Sequence, residues 1–211
     1  MKKFKLTSEF IVDISGVKLF RIKALIEFGN VKAGDLGGYI EKEKNLSHMG
    51  DAWVSDDARI SGNAQVFGNA QVFGNAQVFG DAWVFGNARV SGNAQVSGDA
   101  QVFGDAQVSG DARVCGDARV CGDARVCGNG DYAYAHGFGS VNRTTTFFRL
   151  KDGGVGVRCG CFYGTLAQFR DKIRETHGET KKAQEYLMLA DLMELRFEED
   201  ENEVGNRKYV E

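Results

Sequence analysis

Hydrophobic and polar positions repeat with a period of six residues through the middle of this chain, from residue 50 to residue 128. Each hexad reads Gly, Asn or Asp, Ala, a variable residue, Val and a second variable residue. The hexad occurs thirteen times without an insertion, and only Asp56 and Ile60 depart from its Gly and Val positions. Alternation over four residues predicts a short strand with Ala and Val on its inner side, and the Gly-Asn or Gly-Asp pair predicts a turn. Because strands this short bury a face only by stacking, the repeat predicts a β-solenoid.

The hexad resembles the repeats of left-handed parallel β-helices, in which three hexads complete one triangular coil. The resemblance implies a left-handed helix, and thirteen hexads then give about four coils. We therefore predict a mainly β fold, a parallel β-helix of about four coils, which needs a cap at each end.

The flanking residues predict these caps. Apolar runs at 10–14 and 17–26 predict strands, so we interpret residues 1–49 as an N-terminal β cap. Residues 50–129 are interpreted as the hexapeptide β-solenoid, and residues 130–211 as a small C-terminal α+β domain.

The C-terminal domain is predicted to contain a hairpin and two helices. The hairpin joins the segments 144–150 and 155–162. Thr165 and Gln168 have the spacing of a capping box at the start of the first helix, and Gly178 predicts its end. A longer second helix follows, with apolar residues at helical spacing.

Composition and charge argue against several classes of protein. The 211 residues carry a net charge of −3 without a basic stripe, which argues against a nucleic-acid partner. No apolar run has the length of a membrane span, and the lysines near the N-terminus precede no segment typical of a secretory signal. Five cysteines, an odd number, are typical of a reducing cytosol. We expect a cytoplasmic protein without a membrane partner.

Neither the cysteines nor the turn residues indicate a metal site. Cys115, Cys121 and Cys127 are six residues apart, so they fall on different sides of a three-sided coil and cannot converge on one ion. The Asp and Asn residues are explained by the turns. We expect no metal and no cofactor.

The outward positions differ between the three sides of the coil. If residues eighteen apart stack, Phe67, Phe85 and Phe103 form an aromatic ladder with Trp83 beside it. An apolar strip of this length is usually covered, so these four residues are the candidate partner-binding site, for another subunit or for another protein. Two alternatives remain: the C-terminal domain folds over the ladder, or the stacked rings only stabilise the solenoid.

Hexapeptide helices include acyltransferases, which use a His general base and a loop extruded from the coil. Here no loop interrupts the hexads, and the three histidines, His48, His136 and His177, all lie outside them. The sequence also lacks the G-x-S-x-G, H-E-x-x-H and phosphate-loop motifs. We therefore interpret the chain as non-catalytic.

Segments at both ends carry a family resemblance. Residues 28–40, 45–47 and 50–54, together with 160–166, 176–178 and 185–187, resemble uncharacterised hexapeptide-repeat proteins of phages, prophages and their bacterial hosts. Members of this family are often labelled as acetyltransferases or polymer-forming cytoskeletal proteins. The resemblance implies a phage-encoded protein in the bacterial host cytoplasm.

These observations together favour a binding or scaffold protein that forms a homo-oligomer, a dimer or a trimer. Its protein partner would be itself, a host protein, or both, and the host protein could be a defence factor that it inhibits. The alternatives are a filament-forming structural protein and a hexapeptide acyltransferase.

Overall fold

The computed structural model describes residues 2–139 and 143–198. The hexads form a β-solenoid in which each hexad contributes one strand of two residues and one turn. In chain order the strands are β4 (Trp53–Val54), β5 (Arg59–Ile60), β6 (Gln65–Val66), β7 (Gln71–Val72), β8 (Gln77–Val78), β9 (Trp83–Val84), β10 (Arg89–Val90), β11 (Gln95–Val96), β12 (Gln101–Val102), β13 (Gln107–Val108), β14 (Arg113–Val114), β15 (Arg119–Val120) and β16 (Arg125–Val126).

Every third strand pairs in parallel, which confirms a three-sided coil. Gln65 of β6 lies beside Trp83 of β9, which lies beside Gln101 of β12, so residues eighteen apart are in register. The aromatic face consists of β6, β9, β12 and β15; the second face of β4, β7, β10, β13 and β16; and the third face of β5, β8, β11 and β14. The handedness of the coil stays a prediction.

The solenoid has about five turns, one more than the hexads alone predict. Strand β3 (Leu36–Ile40) pairs in parallel with β5 on the third face, and Leu46 bridges Val66 on the aromatic face. The first turn is therefore formed partly by residues without the hexad pattern. A short 3₁₀ helix (Glu43–Asn45) joins these two segments.

Strands β1 (Phe4–Val12) and β2 (Lys18–Ala24) form an antiparallel hairpin that continues from β3. The hairpin extends the third face to a sheet of seven strands. The predicted N-terminal strands are thus present, and they lengthen the solenoid sheet.

The interior of the solenoid is a column of small side chains. The Ala and Val positions of all the hexads, and Ile60 in place of one Val, are at most 1% exposed. Burial of each Val side chain contributes on the order of 1.5 kcal/mol, and the column repeats this in every strand. The same residues form one continuous core with the N-terminal hairpin.

The C-terminal domain contains a four-stranded antiparallel sheet and two helices. A 3₁₀ helix (Asn129–Asp131) precedes strands β17 (Tyr132–Phe138), β18 (Arg143–Arg149), β19 (Val155–Cys159) and β20 (Phe162–Thr165). The predicted hairpin corresponds to β18 and β19, and the sheet adds one strand on either side of it. Helices α1 (Leu166–His177) and α2 (Lys181–Phe197) cover this sheet and share a core with it.

The capping box at the start of α1 is confirmed. Gln168 N–H donates to Thr165 Oγ1 at 3.3 Å, and Thr165 N–H donates to Gln168 Oε1 at 2.9 Å. The helix ends at Gly178, as predicted. Within the described ranges, neither helix combines the length and the apolar character that a membrane crossing requires.

Side-chain donors close the N-terminal end of the solenoid. The carbonyl groups of the first hexad on each face point away from the later coils, where no earlier hexad supplies an N–H group. Asn45 Nδ2 donates to Gly62 O at 3.1 Å and to Ala64 O at 2.8 Å. Lys3 Nζ donates to the equivalent carbonyls of the second face, those of Gly50 and Ala52, at 3.1 and 2.7 Å. On the third face, backbone N–H groups of β3 and of the residue that follows it donate to the carbonyls of the first hexad.

Side-chain acceptors close the other end. Arg113 N–H donates to Asn129 Oδ1 at 2.8 Å, and Arg119 N–H donates to Thr146 Oγ1 at 2.9 Å. Thr146 belongs to β18, so the sheet of the C-terminal domain lies directly on the last coil. Both ends are thus covered by parts of this chain, as the polar backbone groups at a solenoid end require.

Candidate functional site

The candidate site is the strip of aromatic side chains on the aromatic face. The rings of Phe67 and Phe85 are parallel within 3°, with centroids 4.9 Å apart, and those of Phe85 and Phe103 are parallel within 4° at 4.9 Å. Trp83 meets Phe67 edge to face, at 6.1 Å and 77°. The four residues predicted from the eighteen-residue spacing therefore lie together.

The stacking follows from the register of the coils. All three Phe residues occupy the last position of their hexads, directly after strands that are paired without a shift. Their separation equals the spacing of neighbouring strands, about 4.8 Å. Stacked aromatic pairs contribute about 0.5–1.5 kcal/mol each beyond the area that they bury. The ladder therefore also stabilises the solenoid.

Exposure distinguishes the tryptophan from the ladder. The three Phe rings are half-buried, because each covers the flat side of its neighbours and presents only its edge. Trp83 is 41% exposed and stands beside the stack. A protruding indole next to half-buried rings is the type of surface on which protein partners bind most strongly.

Within the described residues, the contacts of the C-terminal domain with the strip are at its C-terminal end. The Arg158 guanidinium of β19 lies over the Phe103 ring, 5.8 Å from its centroid. Cys121, which has the same position as Phe103 one coil later, is 3% exposed. Phe67, Trp83 and Phe85 belong to coils that precede these contacts.

We expect the burial of Cys121 to control its reactivity. Desolvation raises the pKa of this thiol to about 11, against a smaller lowering of the pKa by Arg158 and Arg119. At pH 8 only about one thiol in a thousand is then ionised. Iodoacetamide should therefore label the exposed Cys127 and leave Cys121 unmodified, which peptide mass spectrometry measures.

The exposed Cys161 is the internal control in the same experiment. Equal labelling of Cys121 and Cys161 in the folded protein would show that the C-terminal domain does not cover the end of the aromatic face. In denaturant all five cysteines should react, because the burial is then removed.

The three histidines lie in separate environments. His48 Nδ1 accepts a hydrogen bond from Lys3 N–H at 3.2 Å and its ring stacks on Phe4, with centroids 4.4 Å apart. Desolvation lowers the pKa of His48. His136, in β17, lies 2.8 Å from Thr144 Oγ1. His177, at the end of α1, stacks on a tyrosine of α2.

The cysteines of the last coil also have separate partners. Cys115 Sγ lies 3.7 Å from Tyr132 Oη, and Cys127 Sγ lies 3.5 Å from Ser109 Oγ. In the part of the chain that the structure describes, no three His, Cys, Asp or Glu side chains are grouped so as to hold a metal ion. The expectation of no metal stays a prediction.

A polar groove on the second face could not be predicted from the hexads. Its volume is about 670 Å³, and Gln71 and Arg89 of the solenoid line it. Residues 29–31, which belong to the loop between β2 and β3, also line it. The groove depends on where this loop returns to the coil, and no periodic signal in the sequence indicates that.

A family model described as the YdcK beta solenoid repeat matches the chain over residues 58–72, 82–98, 94–110 and 106–122. All of these segments lie within the hexads, and their starting points differ by multiples of six residues. The match supports a β-solenoid repeat family. A comparison with curated proteins found no match.

Proposed function

We propose that this β-solenoid repeat chain is a non-catalytic binding or scaffold protein, whose aromatic face binds a protein partner. The observation that carries the proposal is the exposed Trp83 indole beside the stack of Phe67 and Phe85. On the other two faces these positions are Gln, Arg, Ser or Cys, with Trp53, Phe73 and Phe79 as the exceptions. The strip is therefore more apolar than the other two faces, over three consecutive coils.

The shape of this surface favours a protein over a small molecule. The rings form a ridge along the coil axis instead of lining a concave pocket of the kind that small ligands occupy. Burial of Trp83 in a pocket of the partner would exclude water from the whole indole. Interfaces of this kind depend on a few such aromatic residues.

The contacts at the two ends favour a discrete particle over a filament. End-to-end growth would need free carbonyl groups at one end and free N–H groups at the other. Lys3 and Asn45 donate hydrogen bonds to the carbonyls of the first hexad on two faces. Asn129 and Thr146 accept hydrogen bonds from N–H groups of the last coil. Growth would require displacement of these side chains.

The positions of the histidines favour a non-catalytic role over acyl transfer. His48 belongs to the contacts of the first turn, whereas His136 lies near Asp117, in the last part of the solenoid. The solenoid strands follow one another without an inserted loop. A general base beside a substrate cleft is therefore not favoured by this arrangement.

The resemblance to hexapeptide-repeat proteins of phages and prophages extends the proposal. A phage-encoded binding protein acts in the cytoplasm of its bacterial host, so the partner would be a host protein. A host defence factor that loses activity when the aromatic face covers it is the specific version of this hypothesis.

The experiment compares the wild type with the double variant Trp83→Gln/Phe85→Ser as baits in a bacterial lysate. Gln and Ser are the residues that other hexads carry at these two positions, so the variant keeps the repeat pattern. We expect a host protein to be captured by the wild type and lost by the variant. Removal of two central aromatic side chains should weaken binding by at least about 100-fold.

Phe79→Ser is the matched control, because Phe79 is a 37% exposed Phe on the third face. This variant should retain the captured protein. Identical capture by the wild type and by the folded double variant would contradict the proposal. Circular dichroism and thermal unfolding establish that each bait is folded.

A further inference from the structure

A second apolar surface lies on helix α2, on the side opposite to its buried residues. Met188, Leu192 and Leu195 are 71%, 54% and 68% exposed. Their spacing of four and three residues places them along one line on the helix. The other side of α2 packs in the core of the C-terminal domain through Tyr186 and Ala190, among others. Helix α2 is therefore apolar on two sides, and the residues of the domain that the structure describes cover one of them.

The charges in the first turn of α2 oppose the dipole of this helix. Lys181 and Lys182 occupy the first turn, which contains no acidic residue. Glu194 lies near the other end, and the sequence continues from Glu198 with four further acidic residues up to position 203. A helix dipole favours acidic residues at its start and basic residues at its end. The first turn is the reverse of this, whereas the last turn has one favourable residue, Arg196, and one unfavourable residue, Glu194, which pairs with Arg170 at 2.7 Å.

We propose that α2 packs antiparallel against α2 of a second copy of this chain, with Met188, Leu192 and Leu195 forming the seam. A two-fold axis near Leu192 places this stripe of each copy against the same stripe of the other. It also brings the basic first turn of one helix toward Glu198, at the end of α2 in the partner. The antiparallel pair therefore buries the apolar stripe and compensates the charges that are unfavourable in one helix alone.

The length over which the two helices overlap limits the affinity of the dimer. With the axis near Leu192 the two helices overlap over residues 187–197, about 16 Å, so the pair gives an interface at the lower end of the range for specific complexes. We expect a dimer with a Kd on the order of micromolar, in equilibrium with the monomer. The contact uses no residue of the aromatic face, so it does not depend on the function proposed for that face.

Sedimentation velocity of the full chain, from about 1 to about 100 μM, tests the proposal. The wild type should pass from monomer to dimer in this range. The triple variant Met188→Gln/Leu192→Gln/Leu195→Gln should raise the Kd at least about 100-fold, because it removes the apolar seam with a residue of good helix propensity. Trp83→Gln/Phe85→Ser is the matched control and should dimerise like the wild type.

The charge pattern gives a second test, which distinguishes the orientation of the helices. Lys181→Glu/Lys182→Glu should weaken an antiparallel dimer about tenfold at low salt, and this difference should shrink at high salt. A parallel dimer places these residues against their own copies, so the exchange of like charges would leave its Kd almost unchanged.

Three results would overturn the proposal. The wild type could remain a monomer throughout the concentration range, or the triple variant could dimerise as well as the wild type. An unchanged Kd for the lysine variant at low salt would exclude the antiparallel arrangement. Thermal unfolding of the triple variant at low concentration separates loss of dimerisation from loss of folding, because the substituted side chains are exposed in the monomer.

Discussion

The substitution Asn45→Asp should lower the free energy of unfolding by about 4 kcal/mol at pH 7. The Asn45 side chain is fully buried, and its single amide group donates to two carbonyls at the end of the aromatic face. Asp has nearly the same shape but replaces both donors by oxygen. Each buried carbonyl left without a donor costs about 1–3 kcal/mol, and the new carboxylate faces both of them.

The loss should depend on pH, because a buried carboxyl that faces two carbonyls and accepts only from Lys42 N–H has a pKa above its value in the unfolded chain. The protonated form is then favoured by folding, and this contribution is lost as the pH rises through the raised pKa. Urea denaturation should therefore give a smaller deficit at pH 5 than at pH 7. Asn30→Asp, at an exposed turn, is the control and should change stability by less than about 0.5 kcal/mol. Equal effects of the two substitutions would contradict the capping role of Asn45.

Periodicity, together with the three-hexad coil that the resemblance to β-helix repeats implies, predicts the arrangement of the aromatic face. A residue's position within its hexad determines whether it points inward, and the three-hexad coil determines which residues stack. For this reason the repeat predicts that Phe67, Phe85 and Phe103 form one ladder, and the register of β6, β9 and β12 confirms this prediction. Binding of a partner by this ladder stays a prediction.

The closure of the solenoid and the exposed stripe on α2 could not be predicted in this way. Lys3 and Asn45 lie outside the hexads, and each contacts carbonyls 17 to 49 residues away, so no local pattern links them to their partners. Helical spacing identifies one apolar side of α2. The packing of the domain determines that Met188 and Leu192 remain outside the core.

Replacing Gly86 by Ala should lower the free energy of unfolding by about 3 kcal/mol or more. The residue has a φ of +71°, a conformation that costs an L-residue with a side chain about 1–2 kcal/mol. A Cβ atom here would also lie 2.9 Å from the backbone nitrogen of Gly104 in the next coil. Two stacked coils cannot separate locally without breaking the hydrogen bonds of neighbouring strands. The contact therefore adds a cost to that of the conformation.

Gly16→Ala separates the two costs. Gly16, at the tip of the N-terminal hairpin, has a φ of +84°, and a Cβ atom there would meet nothing within 4 Å. Its replacement should cost only the conformational part, about 1 kcal/mol. The difference between the two variants in urea denaturation then measures how tightly neighbouring coils are stacked. Equal losses for Gly86→Ala and Gly16→Ala would mean that the coils can accept a methyl group between them, and that the Gly of the hexad is required for its conformation alone.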